Sequence, residues 1–517
     1  MVGGDVRKLR NLVRLTMILI GASACLAASS AQAAKGVLHL KVVDSETKAP
    51  LSARMHLVNP RGNRQRIPGV PNLDDHFSFT GELHLELAPG RYTFEMETGP
   101  EYRTRSGYFE LKSGDEDNTT LEMTRFVDMA ADGWWSGDLF VQRGEIDIET
   151  LMLAEDLHVA VNHAWDNKQN AYEGKPVGDP LAIFGGDRAW WRLGGRDERA
   201  GGRMIFANVD APLAVQSAKP EYPSTLSFVN ELKSNARVHR AADATAWDLP
   251  LWIAQDAVDS VVIAGPELES KGGAAKPAPG SRPADRLLYR GAQGRARWAQ
   301  QIYFHLLNCG IRIPPSAASG SGATSNPPGY NRVYVHLDGE FSYDAWWREL
   351  AAGRVMVTNG PMIRPFVENR LPGDVFTASA GESLEIEVAL NLGTRDKIAY
   401  LEVLKNGQVE HEVRLDDLVK NQGRLPKIHF DESGWFLVRA VAEVPETYRF
   451  ALTGPYYVQI GDQPRISKTS AQFFYDWVFE RAAAIQLEAG DQRNEILEMH
   501  RESRDFWRDI FERANAP

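Results

Sequence analysis

Histidine is the side chain to start from, because an imidazole near neutral pH can hold a metal ion or move a proton. Between residues 126 and 364 the histidines are His158, His163, His239, His305 and His336. Carboxylates lie close by: Glu155 and Asp156 before His158, Asp166 after His163, and Asp338 after His336. Such sets suit divalent-metal binding or acid–base work, yet each also has a plain structural account. His158 and His305 sit beside apolar runs, as satisfied core histidines do. Glu155-Asp156 reads equally as the charged end of a surface helix, and His336 before Asp338-Gly339 as part of a turn. A metal ion needs three or four ligands in defined geometry, and spacing alone does not bring three together. Other chemistries find little support. There is no G-x-S-x-G elbow and no GxxxxGK[ST] phosphate loop. Cys25 and Cys309 are the only cysteines, which excludes a disulfide framework, a four-cysteine zinc site and a CxxC redox pair. Cys309, in an apolar context, reads as a buried and inert thiol. Tryptophans are dense in the same stretch, with pairs at Trp134-Trp135, Trp190-Trp191 and Trp346-Trp347. They fit an aromatic substrate cleft and core caps alike.

The elements that must position these groups fall into four pieces after the amino terminus. From residue 34 to 125 apolar residues alternate with polar ones (Leu38, Leu40, Val42; Leu83, Leu85, Leu87), with a Pro89-Gly90 turn before Tyr92, Phe94 and Met96. That pattern predicts a small antiparallel β-sandwich. Its four histidines are His39, His56, His76 and His84; His39 and His84 occupy alternating polar positions and read as exposed strand faces. From 126 to 364 short apolar strands (Val159–Val161, Ser260–Ala264, Val333–Val335, Val355–Val357) alternate with helical runs (Ile148–Leu157, Ala296–Leu307, Tyr343–Ala352). Alternating β and α units predict a parallel sheet or a barrel. Two Gly/Pro-rich loops, Lys271–Asp285 and Pro314–Gly329, interrupt it, of the length that shapes a pocket rim. From 365 to 465 the period returns to two, with an Asn406-Gly407 hairpin turn, which predicts a second β-sandwich. From 466 to 517 two apolar stripes separated by Gly490 predict a helical hairpin packed on the body.

Residues 1–33 read as an export signal. Arg7, Lys8, Arg10 and Arg14 precede an apolar run from Leu15 to Ala28, and Ala31-Gln32-Ala33 is an A-x-A cleavage pattern. This predicts a periplasmic or secreted protein with no integral membrane span in the mature chain. A lipoprotein anchored through Cys25 is the weaker alternative, because the Leu usual three positions before the Cys is missing. The net charge of −11 belongs to the body, since the first 33 residues are net basic. An acidic body is a poor polyanion binder, so the expected partner is a small-molecule substrate or ligand and not nucleic acid.

The run Gly36–Asp44 followed by Pro50–Arg54 resembles a carboxypeptidase-regulatory-like sandwich, an adhesive or structural module. The segment Gly133-Trp-Trp-Ser-Gly-Asp-Leu-Phe-Val-Gln-Arg143 resembles the opening of the PHP-like metallohydrolases of the CehA/McbA group, whose pattern is G-W-x-S-G-D-L-H-V-H. Further matches follow in order at Leu151–His158, Asp248–Trp252, Tyr303–Pro315, Gly329–Val335 and Gly353–Pro361. The resemblance implies a distorted (β/α)7 barrel flanked by two sandwiches, with divalent metals (zinc or manganese) at the carboxyl ends of its strands. It implies hydrolysis of phosphate, carbamate or ester bonds.

This chain departs from that pattern where the two motif histidines should stand. Phe140 and Gln142 occupy those positions. A benzyl ring cannot ligate a metal, and an amide oxygen is a poor ligand for zinc or manganese beside imidazole. Near Glu267, where many relatives carry another histidine, none is present. The residual ligand candidates are His163, Asp166, His239 and Asp248. The surrounding or orienting candidates are Asp138, Phe140, Gln142, Glu155, Asp156, His158 and Glu267, although Asp138 reads equally as a strand-end cap. No catalytic residue is assignable. Two readings follow. One is an exported PHP-like hydrolase with a reduced metal site. The other is a non-catalytic relative that lost the metal and serves as a binding or scaffold module.

Overall fold

The protein was analysed as a computed structural model, which describes residues 34–272 and 277–517. Residues 1–33, where an export signal is expected, and with them Cys25, lie outside the described residues. Among the described residues no helix is long and apolar enough to cross a membrane.

The amino-terminal strands are β1 (Gly36–Asp44), β2 (Ser52–Val58), β3 (Phe77–Thr80), β4 (Glu82–Leu87), β5 (Gly90–Glu97), β6 (Arg105–Leu111) and β7 (Glu116–Met123). They form two sheets, β4-β1-β7 and β3-β2-β5-β6. Leu38, Leu40, Val42, Ala53, Met55, Leu57 and Leu85 fill the space between them. The odd feature is β1, which runs antiparallel to β4 but parallel to β7. His39 and His84 pair across β1 and β4 on the outer face.

The central strands are β8 (Trp134–Val141), β9 (Val159–Trp165), β10 (Leu181–Phe184), β11 (Arg188–Arg199), β12 (Gly202–Ala207), β13 (His239–Asp243), β14 (Ser260–Ala264), β15 (Pro315–Ala317), β16 (Arg332–His336) and β17 (Val355–Thr358). Interleaved are helices α1 (Glu145–Ala154), α2 (Thr225–Leu232), α3 (Leu249–Ala254), α4 (Gly291–Asn308) and α5 (Tyr343–Ala351). The strands stand in the order β15-β14-β13-β12-β11-β9-β8-β16-β17. Four neighbouring pairs are parallel (β8/β9, β9/β11, β13/β14, β14/β15), while β12 runs antiparallel to both neighbours. The row curls back on itself: just beyond β15, Ser321 pairs parallel with Val141 of β8. The carboxyl ends of the parallel strands therefore face one another. β16 and β17, expected within a parallel sheet, instead form an antiparallel extension on β8. Apolar residues alone specify a buried strand and not its direction.

The remaining strands are β18 (Met362–Phe366), β19 (Val375–Ala378), β20 (Leu384–Ile386), β21 (Ala389–Gly393), β22 (Ile398–Lys405), β23 (Gln408–Val413), β24 (Ile428–Phe430), β25 (Gly434–Ala442), β26 (Phe450–Thr453) and β27 (Tyr456–Ile460), with α6 (Leu415–Lys420). The central row continues through them as β17-β26-β25-β22-β23, and β18/β21 and β20/β24 form two small sheets. One core runs from Val159 and Trp252 to Leu437 and Phe450. Helices α7 (Lys468–Ala484) and α8 (Asp491–Glu512) close the molecule. Phe474, Trp477, Trp507 and Ile510 enter the same core, as the stripes predict. The fold class is thus mixed α/β and sheet-rich, with carboxyl-terminal helices.

Candidate functional site

Side chains on a strand alternate faces, and parallel strands that curl together aim their carboxyl ends at one place. Phe140 and Gln142 come from the end of β8, and His163 and Asp166 from the end of β9. Arg196 and Glu198 lie two residues apart near the end of β11, and Arg203 opens the antiparallel β12 at that same end. Asp243 ends β13, and Glu267 follows β14. These side chains meet. The Phe140 and His163 rings stack with centroids 4.2 Å apart and planes 7° from parallel. The Arg196 guanidinium lies 4.5 Å from the Phe140 ring centroid and that of Arg203 lies 5.7 Å away, the arrangement of a cation over a π face.

The charges form one buried network. Arg196 bridges Asp166 (2.9 Å) and Glu198 (3.1 Å), and its Nη1 reaches Gln142 Oε1 at 3.4 Å. Arg203 is held by Glu198 (2.7 Å), Asp243 (2.9 Å) and Glu267 (2.9 Å). Four carboxylates thus share two guanidinium groups. Burial, then repulsion from Glu267 and Glu198, outweighs the pull of Arg203 and pushes the Asp243 carboxyl up to about 8. Its Oδ1 has no hydrogen-bond partner among the described residues.

The sequence candidates are dispersed as follows. Phe140, Gln142, His163, Asp166 and Glu267 belong to this network. His239 does not: it begins β13, at the opposite end, where its Nε2 lies 2.8 Å from Ser260 Oγ, and burial drops it to about 4. Asp248 does not either. It precedes α3 and pairs with Arg481 of α7 at 2.6 Å. Among the described residues, the three-residue His/Cys/Asp/Glu groups whose ligand atoms all lie within 4.8 Å centre on His56, so the four ligand candidates are not brought together. A strand ending at His239 is what the sequence suggests, because the run before it is strand-like; the strand instead starts there.

Asp138 serves the backbone. Its carboxylate accepts from Phe140 N, Ser319 N and Oγ, and Gly329 N. Burial nonetheless raises it to about 6. It ties the long loop after β15 to β8. Glu155, Asp156 and His158 lie at the amino end of β9. Glu155 pairs with Arg54 at 2.8 Å, and Asp156 with Arg125 and Arg188. The His158 ring faces Ser136 Oγ at 2.9 Å, and burial lowers it to about 3. These are buried structural pairs.

The network does not fit a metal ion. His163 donates its Nε2–H to the Leu139 carbonyl at 2.9 Å, and its Nδ1 faces Arg196 Nη1 at 3.5 Å. Burial and then Arg196 hold that imidazole well below its ordinary value. Phe140 offers no lone pair, and each nearby carboxylate already faces a guanidinium. The positive charge that a metal would bring is supplied by Arg196 and Arg203. Neither is a sequence candidate: Arg196 lies in a charged Arg-Asp-Glu-Arg run and Arg203 four residues beyond it, and neither belongs to a motif. The position of Arg203 directly after the Gly201-Gly202 turn was the available signal.

Beside the network opens a cavity of about 780 Å3, within the usual range for small-molecule sites. Val262, Ile263, Leu268, Tyr289 and Trp298 give it apolar walls, and Asp243, Glu267 and Arg295 give it polar groups. The Nη1 of Arg295, like Asp243 Oδ1, has no partner among the described residues. Most of the central tryptophans lie elsewhere: Trp165, Trp190, Trp191, Trp252 and Trp346 are core.

No family model matches this chain, and no curated protein matches it. Among solved structures, the Bacillus anthracis TIE protein aligns at 19% identity over 22% of this chain and 20% of its own, with a TM-score of 0.15. Bacteroides uniformis beta-glucuronidase aligns at 9% identity over 85% of this chain and 59% of its own, again with a TM-score of 0.15. Likenesses this weak carry no statement of fold or function.

Proposed function

We propose that this protein is an exported, non-catalytic relative of the PHP-like metallohydrolases of the CehA/McbA group, and that its barrel binds a small molecule. The observation that carries the reading is the buried network in which Arg196 and Arg203 hold Asp166, Glu198, Asp243 and Glu267. It stands at the carboxyl ends of the strands, where the resemblance implies metals. An ion pair buried this way is costly to disassemble, because removing one partner strands the others without water. A hydrolytic metal would have to displace both guanidinium groups.

Binding is supported by the adjoining cavity. Its apolar walls suit an apolar body, while the Asp243 carboxyl, pushed by burial toward its protonated form, offers one hydrogen bond and Arg295 another. The matching ligand is an apolar molecule ending in a carbonyl, amide or carboxylate oxygen. Export is supported by the basic, apolar and small-residue order of residues 1–33.

Two assays test this together. Purified protein supplied with Zn2+ or Mn2+ should not hydrolyse activated phosphate, carbamate or carboxylate esters; turnover that needs the metal and disappears in Asp166→Asn overturns the non-catalytic reading. A thermal-shift screen of small apolar acids and amides should find ligands that raise the melting temperature. Such a ligand at a hundred times its Kd stabilises by about 2.7 kcal/mol. The shift should vanish in Ala299→Trp, which fills the cavity wall. A shift that persists there places the ligand elsewhere and overturns the assignment of the cavity.

A further inference from the structure

The outward face of the second amino-terminal sheet carries a separate cluster. Ala53, Met55 and Leu57 of β2 point into the sandwich core, so Arg54 and His56 point out. In the neighbouring β5, Glu97 stands opposite Arg54 and Glu95 opposite His56. Asp75 and His76, just before β3, fold over this face. His56 Nδ1 lies 3.3 Å from Asp75 Oδ2, and His76 Nδ1 lies 2.8 Å from Asp75 Oδ1. The two imidazole rings are 5.0 Å apart. One ligand atom from each of the three residues lies within 4.8 Å of the others.

Two observations say that the cluster is built for a cation. His76 is only 4% exposed, yet its Nε2 has no hydrogen-bond partner among the described residues. A buried polar atom without a partner is costly and calls for a ligand. The second observation is Lys271. This half-exposed residue from beyond β14 lays its ammonium 3.0 Å from Asp75 Oδ2, so a positive charge already sits against the carboxylate. The cluster opens into a cavity of about 230 Å3 between the sandwich and the central body.

We propose that His56, Asp75 and His76 bind a divalent transition-metal ion, zinc by the chemistry of the donors, in competition with the Lys271 ammonium. Two imidazoles and a carboxylate make a three-ligand set of the kind that leaves a fourth zinc position open. Calcium and magnesium want oxygen ligands throughout and fit this set poorly. Glu97 lies 3.8 Å from His56 Nε2 but is committed to Arg54 (2.8 Å) and Arg395 (2.7 Å). It orients the site and is not a fourth ligand. The fourth position faces the cavity and is left to water or a small anion.

The probe is Zn2+ alone, titrated calorimetrically into the full chain after chelator treatment. Wild type should bind one equivalent. His56→Ala, a substitution at a half-exposed position, should weaken binding at least about ten-fold, the scale on which even an outer partner of a ligand acts. Lys271→Ala should tighten binding several-fold, because the competing cation is gone. Asp416→Asn, at an exposed position of α6, should change nothing. Co2+ substitution gives a second readout, a visible d–d absorption in wild type that is lost in His56→Ala. Absence of stoichiometric binding in wild type overturns the proposal, and so does equal Zn2+ affinity in wild type and His56→Ala.

Discussion

Arg203 meets three carboxylates and Arg196 shares one of them, so the network carries more acid than base. The excess falls on Asp243, whose folded value of about 8 exceeds its ordinary value of 3.8. Between those values the folded protein binds a proton that the unfolded chain has released. Stability therefore falls as pH rises through that window, by up to about 1.4 kcal/mol per pH unit. Asp243→Asn removes this dependence while keeping the shape. Urea unfolding at pH 5, 6, 7 and 8 should show wild type losing stability against Asp243→Asn as pH rises, by a total on the order of 4 kcal/mol. Parallel curves would mean that Asp243 ionises normally beside Arg203. At this scale the sequence pointed to Phe140, Gln142 and Glu267 as departures from a motif and to His163 and Asp166 as ligand candidates, because each is a local fact. It could not disclose Arg196 and Arg203, whose role depends on carboxylates from four separate segments.

What aims Arg196 is the middle of β11. The register between β9 and β11 slips twice, at Gly194 and Gly195. Both glycines lie against bulky neighbours: a Cβ on Gly195 would come within 2.2 Å of the Trp165 ring, and one on Gly194 within 2.3 Å of Val161. Trp165 is itself fixed by donating to the Leu193 carbonyl at 2.8 Å. Gly195→Ala must push β11 off β9, which costs about 1–3 kcal/mol by overpacking, and it carries Arg196 away from Asp166. Gly178→Ala, which has open space around it, should stay within about 0.5 kcal/mol of wild type. Urea midpoints of the two variants decide this; equal midpoints would mean that β11 yields freely. Some elements were visible as periodicity, including α1, α4 and the two closing helices, while β10, β11 and β12 were not. Strand direction was not, because buried strands are apolar on both faces and read alike either way. The antiparallel β16/β17 extension is the result.

Across the whole molecule, continuity matters more than domain count. The central row of strands runs on into the later β region through β17 and β26, so the return to period-two patterning near residue 365 marks a change of layer within one sheet system. The carboxyl-terminal hairpin is bound to the same body by charge as well as by its aromatic stripe. Arg481 of α7 is 4% exposed and bridges Asp248, before α3, at 2.6 Å and Glu221 at 2.5 Å. Trp507 of α8 donates to the Pro250 carbonyl at 3.0 Å. Burial alone would raise the Asp248 carboxyl, but Arg481 and then His500 pull it below its ordinary value. Its stabilisation is therefore present above the ordinary carboxyl range and is lost as pH falls through the lowered value. Arg481→Met keeps much of the volume and leaves Asp248 and Glu221 buried without their guanidinium, which should cost about 3–5 kcal/mol at pH 7. Unfolding followed by tryptophan fluorescence, with Trp477 and Trp507 as reporters at the hairpin interface, should show that loss. The gap from wild type should narrow in acid, where the stranded Asp248 takes up a proton and wild type loses the Arg481–Asp248 pair. A gap that stayed constant with pH would assign the loss to packing of the Arg481 stem and not to its charge.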